Sequence, residues 1–232
     1  MNCLYCHKEV LIEVSWTSLF SKSKPAFLCS ECEKQLKPIS GVICRTCNRP
    51  LQSLESSYIK DSQCFDCVRW KEDEEWSGFL DRNYSIYEYN EFLKEFIARY
   101  KYRGDYVLAK VFSETVIEKL RTIKYDLISY IPLSQERLHE RGFNQSEAII
   151  KEAGKTPSGL LQRTHSEKQS KKSRQDRIHL PQVFQVKRDL DLTNKKILLV
   201  DDIYTTGSTL RHAAKVLKQS GAISISSLTI AR

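Results

Sequence analysis

The sequence predicts an α/β protein: a domain built on a parallel sheet, preceded by a small four-cysteine zinc-ribbon domain. Three observations carry this. All eight cysteines lie in the first 67 of 232 residues, as four Cys-x-x-Cys pairs. From about residue 81 onward, β-rich runs alternate with helical patterns, which implies parallel strands joined by helical crossovers. One apolar run, residues 197–200, passes directly into Asp201 and Asp202 and then into a loop of Thr, Gly and Ser.

The cysteine pairs come first. A disulfide framework needs a secretory signal, and the opening MNCLYC has neither a basic nor an apolar signal region. A thioredoxin-like site needs one such pair on a βαβ unit, not four. Tetrahedral thiolate coordination explains all four, because a two-residue gap lets one tight turn aim both sulfurs at one ion. Sequential pairing leaves gaps of 22 and 16 residues, and a cross-brace would leave 37 and 31. The sequential arrangement lies nearer the zinc-ribbon range of about 15–20. Two closed structural Zn²⁺ sites are therefore expected, Cys3/Cys6/Cys29/Cys32 and Cys44/Cys47/Cys64/Cys67. Asn48 follows Cys47 where a left-handed residue is often needed, and His7 is not expected to be a ligand.

The double ribbon is assigned to 1–70, a charged linker to 71–80 and the α/β domain to 81–232. The linker is expected to keep the two cores separate. Within the α/β domain, Phe92, Leu93, Phe96, Ile97 and Tyr100 recur at helical spacing before Gly104. Asp105 is placed to cap a second helix bearing Leu108, Val111, Phe112 and Val116. YDLISYI reads as a strand ending at Pro132, Ser134 opens a helical segment broken near Gly142, and KKILLV reads as a buried strand. GSTLRHAAKVLKQSG is a helix with Leu210, Ala213, Ala214 and Leu217 inward, and ISISSLTI is a last strand.

Asp201 and Asp202 thus sit at the carboxyl end of a parallel strand, where open α/β sheets bind ligands. The helix N-terminus that follows favours a phosphate. Gly207 admits close backbone approach, and Thr205, Thr206, Ser208 and Thr209 add hydroxyls. A phosphate would repel the acids, so they suit the paired hydroxyls of a ribose, or Mg²⁺ held through water. The string lacks the Gly-Lys-Ser/Thr ending of a Walker loop and is not a G-x-G-x-x-G fingerprint.

ILLVDDIYTTGST resembles the phosphoribosyl pyrophosphate motif of type I phosphoribosyltransferases. The whole chain resembles the ComF competence family, and within it the ComFC branch. The N-terminal cysteines, ERGFNQ at 140–145, KQSKKSRQDR at 168–177 and the motif near the C-terminus appear in that order. The resemblance implies that Asp201 and Asp202 hold the ribose diol and that 205–209 holds the 5′-phosphate. It implies a pyrophosphate loop after the strand at 125–131, with Arg137, Arg141, Gly142 and Asn144 as candidates. It also implies a flexible loop over the pyrophosphate, with Lys168, Gln169, Lys171, Lys172 and Arg177 as members. The stretch 163–177 carries six Lys/Arg against Glu167 and Asp176.

A transferase would displace pyrophosphate from ribose C1, with Asp201, Asp202, Arg141, Lys168 and Arg177 positioning groups and offsetting charge. A base-recognition hood would have to come from residues 81–125, where no such motif is visible. The family also implies natural transformation: handling of incoming single-stranded DNA in the cytoplasm beside the helicase-like partner ComFA. The net charge of +8 permits a polyanionic partner, although solubility alone accounts for it. No run approaches the roughly 18 apolar residues of a membrane helix, so no integral membrane segment is expected and attachment to the inner membrane face would run through partners. The reading is a competence protein retaining a phosphoribosyl pyrophosphate site; the alternative is an active phosphoribosyltransferase with an unidentified acceptor.

Overall fold

A computed structural model describes residues 1–10, 26–163 and 183–232. In chain order the elements are α1 (Ser30–Glu33), β1 (Ile59–Lys60), β2 (Gln63–Cys64), α2 (Phe65–Glu72), β3 (Arg82–Tyr87), α3 (Glu91–Tyr102), α4 (Ser113–Leu120) and β4 (Leu127–Tyr130). They continue with α5 (Gln135–Arg141), α6 (Gln145–Glu152), β5 (Leu161–Arg163), β6 (Phe184–Val186), β7 (Lys196–Ile203), α7 (Ser208–Gln219) and β8 (Ser224–Ala231). The central sheet is all parallel, in the order β3-β8-β7-β4. Two small antiparallel pairs, β1-β2 and β5-β6, stand apart from it.

Strand β7 is apolar on both faces because both faces are covered. Leu198 and Val200 enter one buried cluster, and Ile197 and Leu199 enter the other. Behind it, Leu210, Ala213, Ala214 and Leu217 of α7 are all buried, at the expected positions. Helix α3 starts where Asn90 accepts a hydrogen bond from the Leu93 N–H at 2.8 Å, and it buries Leu93, Phe96, Ile97 and Tyr100.

Three points differ from the sequence reading. Asp105 does not cap a helix: its carboxylate takes the Arg99 Nε–H at 2.5 Å, and a 3₁₀ turn, Tyr106–Phe112, leads into α4. Strand β3 is absent from the sequence reading, yet it extends the sheet through Asn83, Ser85, Ser227 and Thr229, a buried polar network with Ser85 and Thr229 oxygens 2.8 Å apart.

The third change concerns separate cores. The first four-cysteine unit shares one buried cluster with α3 and α4, and the second shares the other with β7 and α7. Residues 71–80 include Trp76, 4% exposed, with its ring centroid 4.3 Å from that of His212 on α7. The charges of this stretch face water while its tryptophan docks, so net charge masked an anchor.

Candidate functional site at the sheet mouth

The eight cysteines gather as the spacing indicated, in two groups of four whose sulfurs lie within 4.8 Å of one another. Neither group is a disulfide pair: Cys6 and Cys29 sulfurs are 3.6 Å apart, as are Cys47 and Cys64, against about 2.05 Å for a bond. Asn48 adopts the left-handed conformation, φ 60°, and His7 does so at the equivalent place in the first unit, φ 63°. The His7 ring meets Arg99, not the sulfurs. Backbone N–H groups point at sulfur, Cys6 N at Cys3 and Cys64 N at Cys44, as they do around thiolates. Both sets suit a tetrahedral ion such as Zn²⁺.

At the carboxyl end of the sheet, β7 runs further than the apolar pattern indicated, through both acids to Ile203. Pleating sends adjacent side chains to opposite faces, and the two aspartates accordingly find different partners. Asp202 forms an ion pair with Lys101 of α3 at 2.5 Å. Asp201 accepts from the Ser146 hydroxyl at 3.2 Å, in the first turn of α6. Burial, and then the neighbouring Asp202 charge, push the Asp201 carboxyl up to about 7.

ERGFNQ explains how Ser146 arrives there. Gly142 ends α5 in the left-handed conformation, φ 76°. Asn144 then caps α6, accepting from Ser146 and Glu147 N–H groups and donating to the Ile131 carbonyl at 2.9 Å. Arg141 turns to Gln145 Oε1 at 2.9 Å and lies over the Tyr102 ring, and Arg137 is exposed on α5. Lys168, Gln169, Lys171, Lys172 and Arg177 lie outside the described residues.

The small-residue loop closes onto α7 through Gly207, φ 79°. A Cβ there would strike the Tyr204 hydroxyl and the Arg211 guanidinium, so only glycine fits. Thr205 and Thr209 are exposed and Thr206 and Ser208 half-buried. The loop leans on groups that sequence reasoning missed. Trp70 of α2 donates its indole N–H to the Thr206 carbonyl at 2.9 Å. Arg232 donates to the Thr205 and Tyr204 carbonyls at 2.5 and 3.2 Å. Arg211 donates to the Tyr204 hydroxyl at 2.6 Å and covers the Trp70 ring. Trp70 lay within a charged run and Arg211 within a helix read by its apolar face. Lys101 was one more basic residue on α3, and nothing local marked it.

Two further features complete the geometry. Among the described residues no helix is long and apolar enough to cross a membrane. A cleft of about 400 Å³ opens beside the loop, lined by Arg49 and Asp66 of the second four-cysteine unit and by Tyr89, Ile203, Thr205 and Arg232.

A phosphoribosyl transferase domain family matches residues 140–232, the part that contains ERGFNQ, β7, the loop and α7. Competence protein ComFC of Bacillus subtilis (strain 168) is 36% identical over 99% of this chain and 94% of its own length. Competence protein ComFC of Streptococcus pneumoniae (strain ATCC BAA-255 / R6) is 33% identical over all of both chains. Competence protein F of Haemophilus influenzae is 29% identical over 88% of this chain and 90% of its own length. With full-length identity at this level, a phosphoribosyl transferase-type sheet and two four-cysteine groups ahead of it, the chain belongs to the ComFC competence-protein family.

Proposed function

We propose that this chain is a cytoplasmic competence factor that binds a phosphoribosyl ligand, phosphoribosyl pyrophosphate with Mg²⁺, and handles incoming single-stranded DNA with the helicase-like ComFA as partner. The observation that carries the ligand reading is the pair Asp201 and Asp202 at the carboxyl end of β7, followed by a loop that ends on the N-terminus of α7. The loop and α7 would take the 5′-phosphate. Asp201 would accept from the ribose hydroxyls, with Ser146 orienting it. Asp202 is already neutralised by Lys101, so Mg²⁺ would come with the pyrophosphate, held by the aspartates only through water. Arg141, and Lys168 and Arg177 from the basic stretch, would answer the pyrophosphate charge. Zn²⁺ would fill both four-cysteine groups in a structural role.

Calorimetric titration with phosphoribosyl pyrophosphate and Mg²⁺ tests this. Binding by the wild type and its loss in D201A/D202A, with the fold retained, is the expected result. Equal affinity in the double mutant overturns it. For DNA, affinity for single strands should fall with salt at a log–log slope of about −0.7 per neutralised phosphate, and replacing Lys168, Lys171, Lys172 and Arg174 by Ala should flatten that slope.

A second reading, transfer to an acceptor, is favoured by the cleft beside the loop. Its outer wall comes from the second four-cysteine unit rather than from residues 81–125, apart from Tyr89. Pyrophosphate release that appears only when an acceptor is supplied would select this reading.

A further inference from the structure

The second four-cysteine group is joined to the small-residue loop by two side chains. Trp70 stands three residues after Cys67, on the helix that Cys67 helps to start. Its indole N–H holds the Thr206 carbonyl. Its ring lies under Arg211, 4.7 Å away, and Arg211 in turn holds Tyr204. Arg232 works from the other side. One of its nitrogens, Nη1, binds the Thr205 and Tyr204 carbonyls, and its guanidinium covers the Tyr204 ring at 4.8 Å. Its buried Nε and Nη2 meet no hydrogen-bond partner among the described residues, and Cys47 and Cys64 of the second group act on its charge.

That orphaned guanidinium edge fits a metal-bound thiolate. Four thiolates around one divalent ion leave a net charge of −2, and a buried arginine beside them is the counter-charge such a centre needs. A protonated thiol would leave the same edge without an anion. The metal at Cys44, Cys47, Cys64 and Cys67 would therefore orient Arg232, and the turn it imposes on Cys64 and Cys67 would fix where α2 carries Trp70.

We infer that Trp70 and Arg232 are positioning residues that make the conformation of the 204–209 loop depend on metal at the second four-cysteine group. Among the described residues the first group has no such link: its contacts run to α3 through Tyr5 and Arg99. Loss of the second metal, by chelation or thiol oxidation, would loosen the loop before the sheet melts. The consequence for a phosphoribosyl ligand rests on the function proposed above; the loop's dependence on the metal does not.

The test is amide hydrogen exchange on the full-length, zinc-loaded protein without ligand. It compares wild type, Trp70→Phe, Arg232→Met and Cys6→Ser, with zinc content measured for each. Trp70→Phe keeps an aromatic ring and removes the N–H; Arg232→Met keeps much of the stem and removes the donors. The expected result is faster exchange at 204–209 in both loop-side variants, with both metals retained and β7 protected as in wild type, and no change there in Cys6→Ser. Exchange at 204–209 equal to wild type in both variants overturns the inference, as does equal acceleration in Cys6→Ser. Graded chelation of the wild type tests the metal itself, whether or not every variant folds: loop protection lost ahead of β7 and β8 supports the inference, and simultaneous loss overturns it. Titration with phosphoribosyl pyrophosphate should show affinity lowered by about 10–100-fold in Trp70→Phe and Arg232→Met relative to wild type and Cys6→Ser. No binding by wild type in any metal state would refute the ligand reading and leave the exchange result standing.

Discussion

The two four-cysteine units share the same Cys-x-x-Cys pairs, set 22 and 16 residues apart, and have different surroundings. In the first, Cys6 is half-buried and the unit rests on α3, with Tyr5 stacked on Phe96 at 5.4 Å between centroids. In the second, all four cysteines are buried, with Cys44, Cys47 and Cys64 at 0% exposure, and the unit touches β3, α7 and the loop at the sheet mouth. The Asn83 N–H donates to the Thr46 carbonyl at 2.7 Å, so the turn between Cys44 and Cys47 joins the start of β3. The difference teaches that a metal-ligand motif specifies a local turn and not its place in the fold. What the turn is packed against decides which part of the fold the site supports, α3 for the first unit and the sheet mouth for the second.

The largest break in that comparison would come from the metal ligands themselves. Cys64→Ser should cost more than about 4 kcal/mol, the range associated with loss of a buried metal site, and lower the melting temperature of the whole chain. Cys6→Ser should loosen the first unit and leave the sheet cooperative. Calorimetric melting of both variants checks this, and equal losses would mean the units are equivalent.

Next come the docking aromatics. Trp76→Ala should cost about 3–5 kcal/mol, as for a fully buried aromatic, since Trp76 also stacks edge-on with Trp70 at 6.0 Å. Tyr5→Ala removes a half-buried ring and should cost less than half as much. Urea denaturation midpoints, with unchanged m-values, give the ratio.

A smaller effect separates the sheet mouth from both units. The Asp201 carboxyl is raised from 3.8 to about 7, so between those values the folded protein holds a proton that the unfolded chain has lost. Its contribution therefore falls as pH rises through this window and is flat above it. Asp201→Asn should remove that slope and stabilise the ligand-free protein at pH 8 by roughly 2–4 kcal/mol. Stability curves from pH 4 to 8 for the two proteins check it, and parallel curves would count against a protonated Asp201.

The smallest expected effect is at the rim of the first unit. Lys8 and Glu31 pair at 2.7 Å, with their side chains 65% and 73% exposed. Lys8→Ala should leave the melting temperature unchanged, because water and salt screen such a pair. A measurable drop would show the first unit to be more tightly coupled than its exposure indicates.

Much of this was legible locally. Cys-x-x-Cys fixes a turn within four residues, a continuous apolar run marks β7, apolar residues at period 3.6 mark α7, and Gly207 admits close backbone approach. Those signals are short-range, so the chain carries them without its fold. Strand β3 was hidden because half of RNYSIY is polar, and its Asn and Ser, besides bonding each other, are satisfied by Ser227 and Thr229, more than 140 residues away.

By itself the sequence determined the cysteine groups, the α/β alternation and the placing of Asp201 and Asp202 before a glycine-closed loop. Only the tertiary structure decided that Asp202 faces Lys101, that Asp201 faces Ser146, and that Trp70, Trp76 and Arg232 bind the second four-cysteine unit to the loop and α7. The physical reason is range. Turn geometry and hydrophobic period act between neighbours in the chain, whereas the partner of a buried charge or an indole N–H is whatever the packing brings within hydrogen-bonding distance, and residue type alone does not name it.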